Sequence, residues 1–410
     1  MTSSSDPDEI FEHLELLPQY APIRRLQDDE FVATELQIRG RHGTALDTPK
    51  SLRRAARMMQ QTGVVDRRKL SLLTESPVGT GFPVLATVDL ASAARPGFAT
   101  PEGHRLFVSV DPGDAFRRPH AVLGEIAAAR EAGQLICVDS LGLDDRALTL
   151  LWLLEPDVIV IPAQLLERSD DPDVAQLAHA LTAHVERTGA LVIAEGVDTE
   201  SRRVAAQTVG ATHGMGKLFP SASSPSAFAD QTVAPFPHTA PPSARDRGPD
   251  DNSTTTPYAI VSTDRAPRRG DKRLLIEMSK ALESQAAAAG PGTLVLGTFQ
   301  QARHFTPATA RRWRALADHA GFAGVYGVGL SQILDGKIQH APLDPADDLV
   351  DEWTVVVLGP HAAALLSARD RGETAPDLER TFDVVQSYDR DLTTRAAHAI
   401  LARFTIPANG

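Results

Sequence analysis

Five acidic residues end five short apolar runs in the first half of the chain: Glu35, Asp89, Asp111, Asp139 and Glu195. The clearest case is Leu191 to Gly210. There Leu-Val-Ile-Ala runs directly into Glu195, followed by Gly196, an Asp198-Thr199 pair able to cap a helix, and a helical run ended by Gly210. One such carboxylate is ordinary and usually just solvated. Five in succession on parallel strands would converge on a single mouth, where the chemistry of such folds sits. Like charges crowded at low dielectric repel, so a cluster of this kind calls for a cation. Spacing alone leaves two readings open, a metal site and a set of scattered loop acids.

The elements that must carry these acids alternate. Tyr20-Ala-Pro-Ile-Arg and Phe31 to Arg39 read as strands joined by a polar turn at Gln27 to Glu30. Strands over Pro83–Val88, Arg105–Val110, Gln134–Val138, Asp157–Ile161, Leu191–Ala194 and Thr212–Leu218 follow. Helices lie between them over Pro49–Gln60, Arg67–Leu73, Pro119–Ala132, Asp145–Leu154 and Pro172–Arg187. The strands are continuous apolar runs, as expected when both faces of a parallel sheet are covered. Roughly eight of them over about 200 residues fit a closed β/α barrel.

Composition narrows the class. At 410 residues the chain is long enough for two or three domains, and 42% hydrophobic with 23% charged residues is ordinary for a folded protein. A net charge of −12 argues against general nucleic-acid binding and against an anionic membrane surface. The one cysteine, Cys137, lies in an apolar run and reads as a buried thiol. The first residues lack the basic and apolar regions of a secretory leader, and Leu148 to Leu166 is interrupted by Glu155, Pro156 and Asp157, so no membrane span is expected. A cytoplasmic location is the expectation.

From Phe219 to Pro257, Ser, Pro, Thr, Ala and Asp dominate, and residues 221–257 read as a disordered linker. Beyond it a smaller α/β domain is expected over residues 258–410. Its helices are expected at Asp271–Ala289, Thr306–His319, Glu379–Gln386 and Leu392–Phe404. Its strands are expected at Thr293–Phe299, Gly324–Gly329 and Trp353–Leu358. Of its single residues, Trp353 reads as a core or face aromatic; Phe299, Gln300, Arg303 and Tyr326 have types that can line a pocket, with core and surface roles the first reading.

In order along residues 1–220, the chain resembles an EAL domain. The resembling stretches are Tyr20-Ala-Pro-Ile, Glu35-Leu-Gln-Ile-Arg39 at the place of the Glu-Ala-Leu-x-Arg signature, Ala86-Thr-Val-Asp-Leu, Phe107-Val-Ser-Val-Asp111, Val138-Asp-Ser-Leu-Gly, Asp157-Val-Ile-Val-Ile-Pro, Ala194-Glu-Gly-Val-Asp-Thr and Gly214-Met-Gly-Lys-Leu-Phe. That family is a modified (β/α)8 barrel of the TIM type that hydrolyses the bacterial second messenger cyclic di-GMP with divalent metal ions. The C-terminal part resembles the DICT sensory domain over Gly297-Thr-Phe-Gln-Gln-Ala-Arg-His-Phe-Thr-Pro307, Asp347-Asp-Leu-Val-Asp-Glu-Trp353, Val355-Val-Val-Leu-Gly-Pro-His361 and Ser387-Tyr-Asp-Arg-Asp-Leu392. The resemblance implies metal ligands at Glu35, Asp89, Asp111, Asp139 and Glu195, with Mg²⁺ or Mn²⁺ as the ion, and ligand contacts at Glu35, Arg39 and Asp198. It also implies a homodimer.

The departures bear on activity. Ser140 stands where the family has a second aspartate, Val160 where it has a lysine, and Pro162, Met215 and Ala21 where it has further polar groups. Asp89 replaces an asparagine, and Asp111 replaces a glutamate one methylene longer. Two-metal hydrolysis needs both cations, an activated water and charge compensation. A single preorganised charged group is often worth about 3 kcal/mol of barrier. The sequence therefore predicts a signalling protein with no catalytic residues, which binds a ligand or partner, a cyclic dinucleotide among the candidates, without cleaving it. A weak metal-dependent phosphodiesterase and a protein-interaction scaffold are the rivals.

Overall fold

The computed structural model describes residues 11–75, 81–101, 104–143, 145–168, 170–237 and 255–403. The chain forms two compact units. One comprises Met1–Asp111, Glu125–Gly142 and Pro156–Ala240; the other comprises Pro112–Gly124, Leu143–Glu155 and Pro241–Gly410.

Eight strands close into a barrel in sequence order. Along the chain run β1 (Leu17–Arg25), β2 (Phe31–Arg39), α1 (Pro49–Met58), α2 (Thr62–Glu75), β3 (Val84–Asp89), α3 (Leu90–Ala93) and β4 (Arg105–Ser109). They are followed by α4 (Pro112–Arg117), α5 (Pro119–Glu131), β5 (Leu135–Val138), α6 (Asp145–Leu154), β6 (Val158–Ile161), α7 (Pro172–Thr188), β7 (Leu191–Ala194), α8 (Glu200–Val209) and β8 (His213–Gly214). From β2 to β8 every pairing is parallel. β1 is the exception to the expected all-parallel sheet, being antiparallel to both β2 and β8. The turn between Arg25 and Phe31 is far too short for the crossover that parallel strands require.

The barrel is filled by Ala21, Ile23, Leu85, Phe107, Val158, Val160, Ile193 and Met215. Burying such side chains stabilises the fold by roughly 2 kcal/mol each. α1 starts on a capping box, with Thr48 accepting from the Ser51 amide and Pro49 at the first helical position. Leu52 and Ala56 are its buried face. α7 and α8 end on Gly189 and Gly210, whose positive φ closes each helix.

The chain just after β8 is not the spacer its composition suggests. Tyr20 and Ala222 exchange backbone hydrogen bonds of 2.8 and 3.0 Å, and the Ala234 amide donates to Phe31 O at 2.8 Å. Phe228 stacks on Phe31 at 5.6 Å between ring centres. One buried aromatic and paired backbone suffice to hold a stretch that is otherwise poor in apolar residues. The expected linker therefore does not hold for residues 221–237, nor at its far end, where Thr256 caps a helix that begins at Pro257; residues 238–254 lie outside the described residues.

The second unit contains α9 (Pro257–Ser262), β9 (Arg268–Asp271), α10 (Lys272–Ala288), β10 (Leu294–Gln301), α11 (Pro307–Ala317), β11 (Phe322–Val328), β12 (Ile333–Asp335) and β13 (Ile338–Pro342). It continues with β14 (Glu352–Leu358), β15 (Ala363–Asp370), β16 (Thr381–Ser387) and α12 (Arg390–Leu401). Its sheet runs β12-β13-β11-β10-β14-β15-β16-β9. Trp313, Phe299, Val325, Val355, Leu366 and Phe382 are in its core, and Trp353 packs against them. Tyr326 is also buried. The segment 143–155 belongs to this unit, where the Trp152 indole donates to Gly292 O at 2.8 Å.

The helix expected at 379–386 is absent: Glu379 ends a short 3-10 turn, and from Thr381 the chain is β16. Buried Phe382 alternates with half-buried Thr381 and Asp383, the period of a strand, and the segment pairs antiparallel with β15 and β9.

Glu352, at the start of β14, is fully buried in a complete set of donors. It accepts from Thr256 Oγ1, the Tyr258 amide (3.0 Å), Arg369 (3.0 Å) and the Ser367 hydroxyl (3.4 Å). The Arg369 guanidinium lies 4.4 Å from the centre of the Tyr258 ring. Burial raises the Glu352 pKa, against the pull of these hydrogen bonds.

Candidate acidic mouth of the barrel

Three of the five strand-end acids come together. Glu35 lies where β2 leaves its pairing with β3, opposite Leu85. Asp139 follows β5 and Glu195 follows β7. The Glu195 amide donates to Ile161 O at 2.8 Å, which fixes the turn. In the next position, Gly196 has φ of +70° and a Cβ there would stand 2.3 Å from the Ala163 Cβ, so glycine is required.

The carboxylates are held by short side chains around them. Glu35 is 5% exposed; Thr87 Oγ1 donates to its Oε1 at 2.6 Å and Gln37 Nε2 to its Oε2 at 2.7 Å. Asp139 takes the Ser140 hydroxyl on Oδ1 at 3.4 Å and the Arg53 guanidinium on Oδ2. Its side chain is 2% exposed and that of Arg53 is 20% exposed.

Arg53, on α1, is the cation of this cluster, and sequence reasoning missed it. Burial alone would lower its pKa; Asp139, then Glu195 and Glu35, outweigh that and hold it above its ordinary value. Glu195 is pushed above the usual carboxylate range, first by burial and then by Asp139, with Arg53 opposing. Burial likewise pushes the Cys137 thiol well up, consistent with an inert core position.

The remaining candidates lie elsewhere. Asp89 belongs to a neighbouring group: Arg57 is 3.6 Å from its carboxylate, and its amide donates to Asp66 at 3.0 Å. Burial and then Asp66 raise its pKa. Lys69 on α2 stands 3.7 Å from Asp66 and donates to Thr87 O at 2.5 Å. Arg53, Thr62, Asp66, Lys69, Asp89 and Asp139 line a narrow cleft between the two groups. Asp111 is exposed beyond β4. Asp198 takes the Lys217 amide at 2.8 Å and Arg202 at 3.2 Å, and so ties α8 to the segment after β8. Arg39 is half-buried and donates to Gly40 O at 3.2 Å. Val160, Met215 and Ala21 are core residues, so the positions where the resemblance expects polar groups here fill the barrel.

Among the described residues, no three or more His, Cys, Asp or Glu side chains are grouped where they could hold a metal ion. The oxygens of Glu35 and Asp139 already accept from protein donors, one of them a guanidinium. As arranged, these residues fit an arginine and not a pair of metal ions.

A family model described as the EAL domain matches residues 88–222, and one described as a sensory domain in diguanylate cyclases and two-component systems, DICT, matches residues 259–371. No curated protein matches. Similar solved structures include the FimX EAL domain of Xanthomonas citri in complex with cyclic di-GMP, at 16% identity over 52% of this chain and 90% of that one, with a TM-score of 0.42. The FimX EAL domain of Pseudomonas aeruginosa bound to cyclic di-GMP gives 17% identity over 55% and 97%, with a TM-score of 0.41. BlrP1 of Klebsiella pneumoniae, in a calcium and cyclic di-GMP complex, gives 20% identity over 52% and 57%, with a TM-score of 0.41.

Proposed function

We propose, for a chain that carries an EAL domain and a C-terminal DICT domain, a role in cyclic di-GMP signalling in which the barrel receives a ligand and does not hydrolyse it. The ligand first in line is the cyclic dinucleotide, and the DICT domain serves as the sensory partner. The observation that carries this reading is Arg53 seated on Asp139, within electrostatic reach of Glu35 and Glu195. A two-metal phosphodiesterase needs those acids open to two cations and a bridging water. Here a fixed guanidinium offsets part of their charge, Ser140 offers no second carboxylate, and Val160 offers no lysine.

The residue first in line for holding an anionic ligand is Arg39, at the end of β2; Arg53, Arg57 and Lys69 on α1 and α2 already meet Asp139, Asp89 and Asp66. Calorimetric titration of the full chain with cyclic di-GMP tests this. Saturable binding that weakens at least about tenfold in Arg39→Ala supports the reading, since a charged hydrogen bond to phosphate is worth roughly 1.5–3 kcal/mol. Absence of any binding heat removes the dinucleotide as the ligand. The convergence of Glu35, Asp139 and Glu195 favours one rival, a weak metal-dependent phosphodiesterase, and product analysis separates it from the main reading.

A further inference from the structure

The acidic mouth has a resident cation supplied by its own helix. α1 carries Arg53 and Arg57 four residues apart, a spacing that puts both on one face. Arg53 meets Asp139 and Arg57 meets Asp89, so two of the acids expected to bind metal are each met by an arginine from this helix. Glu35 has no ion pair of this kind among the described residues, yet its Oε1 accepts from Thr87 and its Oε2 from Gln37. Each oxygen of Glu35 and of Asp139 thus already meets a protein donor that an arriving metal ion would have to share or displace.

We infer that Arg53 is a built-in counter-cation that takes the place of a divalent metal ion at the barrel mouth. The inference rests on reading this mouth as one that does not cleave its ligand. A guanidinium is suited to the task because it stays charged at any working pH and offers several donors in a fixed plane. Its tether matters as much as its charge. Thr48, Ser51 and Pro49 fix the start of α1, and Leu52 and Ala56 anchor it to the barrel, so Arg53 is present at high effective concentration. A metal ion arriving from solution must shed water and also displace this side chain from Asp139, whose carboxylate is almost completely buried. Charge and position together thus select against the metal although Glu35, Asp139 and Glu195 are kept.

The test is Mn²⁺ binding to the full chain, read from the paramagnetic resonance signal of free Mn²⁺ and requiring no turnover. Wild type and Arg53→Lys, which keeps the positive charge, are expected to leave Mn²⁺ free over a range in which Arg53→Gln binds it at least about tenfold more tightly, because one unit charge has been removed from a low-dielectric site. The gain is expected to disappear in Arg53→Gln/Glu35→Gln. Wild-type binding that is as tight as that of Arg53→Gln and is lost in Glu35→Gln overturns the inference, as does a folded Arg53→Gln that binds no better than wild type. If Arg53→Gln does not fold, the wild-type chain decides: Mn²⁺ binding sensitive to Glu35→Gln overturns the inference, and its absence supports it. Cleavage of cyclic di-GMP would instead defeat the functional reading, a result the metal titration cannot imitate.

Discussion

The two units each bury carboxylates against an arginine, and they do so in opposite ways. In the second unit one carboxylate, Glu352, meets Arg369, two hydroxyls and a backbone amide, so its charge and its lone pairs are satisfied together. At the barrel mouth three carboxylates, Glu35, Asp139 and Glu195, share the field of Arg53, with Lys50 of the same helix adding to it at Glu195. A complete set of partners around one charge is what a structural ion pair needs. An excess of like charge is costly, and proteins retain it where a site is to be used. The contrast separates a clasp that holds α9 to the sheet from a site built to interact.

The strongest way to break this comparison is to make the same substitution in both places. Glu352→Gln puts an amide where donors converge and leaves at least one buried donor unmet. Its expected cost is about 3 kcal/mol, read by urea denaturation with hydrogen exchange at α9 as the local probe. Glu35→Gln keeps an acceptor for Thr87 and removes one negative charge from the crowded mouth. It is expected to leave stability unchanged or to raise it by about 1 kcal/mol. Equal losses at the two sites would erase the distinction.

A pH titration sharpens the contrast within the barrel unit. His213 on β8 is 5% exposed, and its pKa is lowered to about 4 from 6.5, by burial first and then by Arg25. The unfolded chain takes up this proton first. Stability is therefore full above about pH 6.5 and declines as the pH falls toward 4, by at most about 3 kcal/mol. In His213→Gln this part of the acid limb is expected to flatten in denaturant melts. An unchanged limb would place the sensitivity elsewhere. The smallest expected effect on stability is that of Arg39→Ala, within about 0.5 kcal/mol of wild type by the same melts, because its guanidinium donates only locally among the described residues, to the neighbouring Gly40 carbonyl.

The strand-end acids, the closed barrel and the order of its elements were legible because each strand is a short apolar run broken by a capped helix. The antiparallel β1 was less so, since a strand's direction follows from the length of its connection and not from its own composition. β16 was misread as a helix because Thr381 to Ser387 is short, and its alternation emerges only when Asp383 is seen flanked by Phe382 and Val384. Arg53 was missed for a different reason. Its pattern, two arginines four apart on a helix following Glu35, is also that of any solvated helix face, and only the fold brings it over Asp139. Residues 222–237 look like spacer by composition, yet Phe228 finds Phe31 across the closed barrel.

The most direct trial of the account is product analysis of the full chain incubated with cyclic di-GMP and Mn²⁺. With Arg53 seated on Asp139, the dinucleotide is expected to be recovered intact. Appearance of the linear dinucleotide, and its loss in Glu35→Ala, would contradict the account at its centre.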